Sequence, residues 1–482
     1  MFPTRSLVGL AACLAIGAPA FGQFNDQWVT FHKETSTRLP GLEGSISFNN
    51  TETDFTWGDL DNDGDVDLVV VRKEDFTSTG KRTNMLLMNE GGVLVDRTSL
   101  YATAADVPGD QGFLTATNDR DAVLADFNQD GWLDVVTATT LSDGDPKHIG
   151  HPRIYMNLGE DGSGNWLGLR FEDARFPQFV HFGTGNPQNP RFCSVDAGDV
   201  TGDGYPDLYF GDYDSSGAGG AQQGANEDLN DRLCINDGNG FFTDQSQSRM
   251  TSTMLQSAFG NSVIIEDFNG DGRNDIAKDT SLNAPQYVAV AYNNPSNEGF
   301  FNIFHDFHFN APYHINKGDL NNDGRMDLVI SDDAADRMRI NTGTDAFGRA
   351  TWSSALTFDF ISGGDDGFAS NNLCADLDGD GWLDVLIADV DVDIGGYSRR
   401  LHTYHNRTTV VGDMTPTLRE ERELDSAGGG GPWGGGGSDD GWIGVVGMDK
   451  DDLGGTHDVA VFDLDGDGDN DMIVSRQFVT DV

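Results

Sequence analysis

Basic residues are scarce in this chain. Its 482 residues hold 30 Lys+Arg against 79 Asp+Glu, a formal charge of −49. Phosphate recognition runs on clustered Lys and Arg, so a nucleic-acid binder is excluded, as is adhesion to an anionic membrane through a basic patch. Long apolar runs are missing too: beyond the N-terminal stretch no segment reaches 18 consecutive apolar residues, so no transmembrane segment is predicted. Cysteine is rare. Of four, Cys13 lies in the N-terminal leader, leaving Cys193, Cys234 and Cys374 in apolar, strand-like contexts. Buried free thiols and a Cys193–Cys234 bridge both stay open, but no CxxC or Cys/His spacing suggests zinc. No convincing amphipathic helix is present. Glycine, at 62 residues, is abundant.

The N-terminus reads as a secretory signal over residues 1–22. Arg5 precedes the apolar run Leu7 to Gly17, and small residues around Ala18-Pro19-Ala20 and Ala20-Phe21-Gly22 place cleavage near Gln23. The run is short for a membrane anchor. Leu10-Ala11-Ala12-Cys13 resembles a lipobox, which leaves the type of signal peptidase open. The expected product is secreted, periplasmic or displayed on the cell surface.

The strongest feature is a ten-residue pattern, D-x-[DNT]-x-D-G-x-x-D plus an apolar residue. It starts at Asp59, Asp126, Asp199, Asp267, Asp319, Asp376 and Asp463. Seven copies at intervals of 52 to 87 residues indicate repeated supersecondary units. Each copy is followed by a short run rich in Val, Ile, Leu or Tyr, such as LVVV, LYFGD or VLIADV. Further on come apolar stretches such as NMLLMNE, RIYMNLG and RLCINDG, then a turn and a fourth stretch such as VLVDRTS. Runs of this length bounded by Gly and Asp read as strands. Each unit is therefore four antiparallel strands, A to D, with the acidic loop between A and B. The predicted fold is all-β, a single seven-bladed β-propeller spanning residues 23–482. Trp28 to Lys33 offers an orphan strand that would complete the last blade and close the ring. No C strand is evident for that blade, so either the chain is truncated or the blade has three strands. Residues 427–438, largely glycine, read as a flexible insertion that accounts for the longest interval.

The loop states its own chemistry. Positions 1, 3, 5 and 9 carry oxygen donors without imidazole or thiolate, which suits Ca²⁺ better than a transition metal, and better than Mg²⁺, which tolerates all-protein cages poorly. Gly at position 6 permits the tight turn, and position 7 supplies a backbone carbonyl, leaving its side chain free to vary. The candidate ligands, at positions 1, 3, 5, 7 and 9, are Asp59, Asp61, Asp63, Asp65 and Asp67 in loop one, and Asp126, Asn128, Asp130, Trp132 and Asp134 in loop two. Loop three has Asp199, Thr201, Asp203, Tyr205 and Asp207; loop four has Asp267, Asn269, Asp271, Arg273 and Asp275. Loop five has Asp319, Asn321, Asp323, Arg325 and Asp327; loop six has Asp376, Asp378, Asp380, Trp382 and Asp384; loop seven has Asp463, Asp465, Asp467, Asp469 and Asp471. An EF-hand would need Glu at position 12, where Val70, Thr137, Phe210, Lys278, Ile330, Ile387 and Val474 stand instead. Up to seven Ca²⁺ ions are expected, and binding to the folded loops would stabilise the fold by mass action.

At these residues the chain resembles the FG-GAP-like, or VCBS, repeat family, which is related to the integrin alpha-subunit propeller. The resemblance runs from about Asp54 to the C-terminus. It implies a seven-bladed propeller with Ca²⁺ between strands A and B, held by Asp59, Asp61, Asp63 and Asp67 and their counterparts. Thr201 departs from the pattern at position 3 and implies a weaker third site. The family implies secreted or surface proteins active in adhesion, ligand binding or carbohydrate interaction.

In such a fold the B–C and D–A loops share the face opposite the acidic loops. The long ones carry His148, His151, Tyr213 and Tyr397, which makes that face a candidate ligand surface. No nucleophile elbow, zinc motif or phosphate loop appears, so no catalytic residue is assigned and no enzyme is expected. The expected function is a calcium-binding adhesion or ligand-binding module for an extracellular glycan or protein. A lyase-like polysaccharide enzyme and an envelope scaffold are the alternatives.

Overall fold

The computed structural model describes residues 29, 31–32, 34–40, 51–74, 81–140, 144–213, 230–257, 260–281, 286–310, 312–332, 335–359, 369–389, 401–420, 456–476 and 480–481. The signal segment, the Gly-rich insertion, Tyr397 and parts of the long loops lie outside them.

Val, Ile and Leu runs bounded by turns form strands, and short connections make neighbours antiparallel. The first sheet is a meander of Thr51–Gly58, Asp67–Glu74, Met85–Asn89 and Leu94–Asp96. The same order recurs from Phe192–Gly198, from Val263–Glu266 and from Ala369–Ala375. The sheet begun by Asp119–Ala125 gains a fifth strand, Ala104–Ala105, parallel to Leu169–Phe171. In the sheet begun by Pro312–Gly318, a ribbon of Asn341–Thr344 and Ala350–Trp352 is inserted before the fourth strand, Leu356–Thr357. The last sheet pairs Thr456–Phe462 with Asp471–Arg476, and that strand with Thr480–Asp481. Among the described residues it therefore has three strands.

The first strand of each sheet touches the first strand of the next, and Thr456–Phe462 touches Thr51–Gly58. The architecture is a mainly-β propeller. Its core is not a single mass but a series of apolar layers between neighbouring sheets. Phe127, Val136 and Ile154 pack against Leu208 and Phe210, for example, and Ile264 and Val290 against Ile315 and Leu328. One such layer, Phe55, Leu68 and Leu87 against Ala460, Phe462 and Ile473, joins the first sheet to the last. Each fully buried Val, Leu, Ile or Phe contributes about 1.5–3 kcal/mol.

Among the described residues the orphan N-terminal segment adds no strand to the last sheet; it packs on the layer between the sixth and last sheets and, further on, at the closure. Val29 and Phe31 lie on the layer formed by Leu377, Leu386, Val459 and Val474. Leu39 is buried with Phe55 and Ala460. Arg38 bonds Asp465 at 2.7 Å and the Gly92 carbonyl at 2.9 Å, tying the last sheet to the first. Trp28, Thr30 and Lys33 lie outside the described residues. The three cysteines are free thiols; Cys193 and Cys234 are fully buried.

Candidate metal centres

Every acidic loop closes in the same way. The position-1 carboxylate accepts backbone N–H groups from positions 5 and 6: Asp59 takes Asp63 at 3.1 Å and Gly64 at 3.0 Å, and Asp376 takes Asp380 at 3.2 Å and Gly381 at 2.9 Å. The position-5 carboxylate accepts the N–H of position 7, as Asp63 does from Asp65 and Asp130 from Trp132. Position 6 needs a left-handed backbone, with φ from 82° at Gly324 to 100° at Gly64. Position 4 needs it as well. It is Asn62, Gln129 or Asn322 in three loops and glycine in four.

Position 9 does a different job. Asp67 accepts the N–H of Leu60 at 3.0 Å and of Asn89 at 2.9 Å, so it pins the loop to the third strand of its own sheet. Asp134, Asp207, Asp327 and Asp384 repeat both bonds. Burial pushes these carboxyls up, Asp67 and Asp275 to about 8 and Asp134, Asp207, Asp327 and Asp384 to about 7. Neighbouring loop carboxylates add to the rise in each of them.

In loops one, six and seven the carboxylates of positions 1, 3 and 9 converge. Asp59, Asp61 and Asp67, then Asp376, Asp378 and Asp384, then Asp463, Asp465 and Asp471 each bring ligand atoms within 4.8 Å of one another. Buried Asp61 Oδ1, Asp65 Oδ1 and Asp275 Oδ2 have no hydrogen-bond partner in the protein. An all-oxygen donor set with crowded, raised carboxyls and orphaned oxygens fits a hard divalent cation. These are Asp-rich groups able to hold metal.

The remaining loops are not equivalent. Asn128 and Asn269 at position 3 donate to their own Asp130 and Asp271 at 2.9 and 3.2 Å. Asn321 donates to the Asp413 carbonyl at 3.1 Å, and Thr201 to Asp199 at 3.4 Å. Position 7 does more than supply backbone in loops four and five, where Arg273 pairs with Asp271 and Arg325 with Asp323. Loop seven has Arg38 on Asp465, and loop six has His405 Nε2 at 3.3 Å from Asp378.

One recurring residue was missed at the level of sequence. Five third strands end in Asn89, Asn157, Asn236, Asn293 and Asn406, and in the fifth sheet Asn341, two residues past the third strand Arg337–Arg339, takes the same place. Each side-chain amide crosses to the preceding sheet and donates to the position-2 carbonyl of its acidic loop. Asn157 reaches Leu60 at 2.7 Å, while Asn236 reaches Phe127, Asn293 Val200, Asn341 Phe268 and Asn406 Leu320, all at 2.8 Å. Asn89 reaches Leu464 at 2.8 Å, from the first sheet to the last. The signal was a common Asn at the end of each C-strand motif.

The proposed opposite face loses two candidates. His151 is 1% exposed, stacks near Phe179 at 5.3 Å, and is pushed down to about 3 by burial. It is a packed core imidazole, not a surface ligand. Tyr213 is also buried, with the Arg120 guanidinium 5.2 Å from its ring centre. His148 lies in the short helical turn Lys147–Gly150 and is half-buried.

The chain carries FG-GAP-like repeats in two regions, residues 126–210 and 319–387. No curated protein matches it. Among solved structures it is similar to an Agrocybe aegerita lectin described for specific recognition of non-reducing terminal N-acetylglucosamine. Identity is 17%, with 76% of this chain and 79% of that one covered and a TM-score of 0.45. No helix among the described residues is long and apolar enough to cross a membrane.

Proposed function

We propose that this chain is a secreted calcium-binding β-propeller of seven blades, acting as an adhesion or ligand-binding module for an extracellular glycan or protein. One observation carries the calcium reading: the acidic loop recurs in all seven sheets with the same backbone closure, and in three of them three carboxylates converge. Residues at positions 1, 3 and 9 would hold the ion, with position 5 and the position-7 carbonyl completing the set. Bound Ca²⁺ supplies charge neutralisation and cross-linking within each loop, not a reaction step. Position 9, bonded to the third strand, would transmit that order to the sheet. The acidic groups of the loops act as ligands and sheet clamps, which supports a binding role for the loops.

The test is an array of glycans and extracellular proteins probed with the purified chain in millimolar Ca²⁺ and in chelator, scoring retention and cleavage separately. Calcium-dependent retention without cleavage is expected. Cleavage of any polysaccharide would replace this reading with an enzymatic one, and no retention would point to a scaffold.

A further inference from the structure

The inner strands of all seven sheets surround a central cavity of about 390 Å³, within the range of small-ligand sites. In five of these strands the pairing slips at one position, six residues before the first Asp of the acidic loop. The residues passed over are Arg120, Cys193, Tyr313, Ser370 and His457. Bulges re-aim side chains and bend strands, and this ring of bulges lies toward the face opposite the acidic loops.

The wall is unbalanced in charge and in hydrogen bonding. Four carboxylates line it, Asp54, Asp121, Asp196 and Asp458, against two permanent cations, Arg120 and Lys317. Lys317 is engaged at its own edge, 2.7 Å from Glu266 and 3.2 Å from the Ile265 carbonyl. Asp121 and Asp196 each accept two backbone N–H groups, so both are structural. Asp458 likewise accepts two backbone N–H groups, from Phe55 and Val459, and the Asn371 side-chain amide, but it differs from them in that its side chain and that of Asp54 hydrogen-bond each other. Two carboxyls can do so only by sharing a proton. Across the ring from them stands Asn261, 6% exposed, with neither its amide oxygen nor its amide nitrogen bonded within the protein. His314 Nδ1 on the next sheet also lacks a partner.

We propose that this cavity binds a small organic cation through a primary ammonium group, with the ammonium at the Asp54–Asp458 pair and the far end of the ligand at Asn261. An ammonium offers three donors and no acceptor, the complement of a carboxyl pair. It would take the place of the shared proton. The overall charge of −49 favours entry of a cation and opposes an anion. A divalent metal fits less well, since Asp54, Asp121 and Asp458 are not among the acidic groups whose ligand atoms converge among the described residues. The site is separate from the acidic loops and goes beyond the function proposed for them.

The experiment is titration calorimetry on the whole protein, saturated with Ca²⁺ at 0.15 M salt, with 1,4-diaminobutane as probe. 1,4-Butanediol and adipate are the neutral and anionic controls. One diamine site is expected, with neither control binding at the same concentration. Asp54→Asn and Asn261→Leu should each weaken the diamine at least tenfold, with calcium-dependent melting retained. If Asp54→Asn does not fold, Asn261→Leu decides. Equal binding of diamine and diol, no diamine binding, or binding unchanged in the folded variants would each overturn the proposal. Loss of calcium-dependent melting would instead contradict the loop reading and leave the cavity result standing.

Discussion

Asp458 Oδ2, on the inner strand of the last sheet, accepts the backbone N–H of Phe55, on the inner strand of the first, at 2.7 Å. The two residues are 403 apart in sequence. A propeller must join its ends, and here a buried carboxyl does so where strand pairing between the two sheets is absent. Removing it strands a buried N–H, a loss of about 1–3 kcal/mol. Asp458→Ala should lower stability by that amount in denaturant titration, and a variant as stable as the parent would contradict the closure.

The same group makes stability depend on pH. Burial, with nearby Asp121 adding to it, pushes Asp458 up to about 8. A carboxyl raised in the folded state binds more protons folded than unfolded, so its contribution is full below about pH 4 and is lost as pH rises through 8. Asn mimics the protonated acid. Asp458→Asn should therefore fold and show a shallower fall in stability between pH 5 and 8 than the parent. Parallel curves would show that Asp458 does not carry the effect.

The asparagine latches between sheets are the next test. Asn157 donates to Leu60 and Leu133 and accepts from Gly159 and Trp166. Asn157→Ala leaves several buried groups without partners and should cost about 1–3 kcal/mol. Asn157→Asp keeps the size but replaces the donor with an acceptor facing a carbonyl, so thermal melting should show it to be at least as damaging.

Arg325 occupies the Asp323 carboxylate in loop five. Arg325→Met should free that oxygen and raise the calcium affinity of this loop, read as tighter binding at one site in a calcium titration. Unchanged affinity would mean that Asp323 is not a ligand there.

Much of the architecture was legible because it rests on local, repeated signals. Gly64 and its counterparts mark the turn, and the apolar runs after Asp67 or Asp134 mark the second strands. The asparagine latches were harder to read, since Asn89 and Asn157 look like ordinary turn residues until the preceding sheet is placed beside them. His151 misled for a related reason. Its neighbours Gly150 and Pro152 read as a loop, and only the packing of Phe179, 28 residues away, reveals a core position. The central cavity was not legible at all. It is assembled from one short stretch of each sheet, and its shape depends on bulges that leave no distinctive residue type.

Under the function proposed above, calcium in the acidic loops should hold this propeller together. The direct measurement is calorimetric melting of the purified chain in chelator and across calcium concentrations up to 10 mM. Extracellular modules bind calcium with dissociation constants of roughly 10⁻⁴–10⁻³ M, and a site at 100 times its dissociation constant adds about 2.7 kcal/mol. The melting temperature should climb continuously with calcium, and climb less in Asp59→Ala or Asp376→Ala. A melting temperature indifferent to calcium would contradict it.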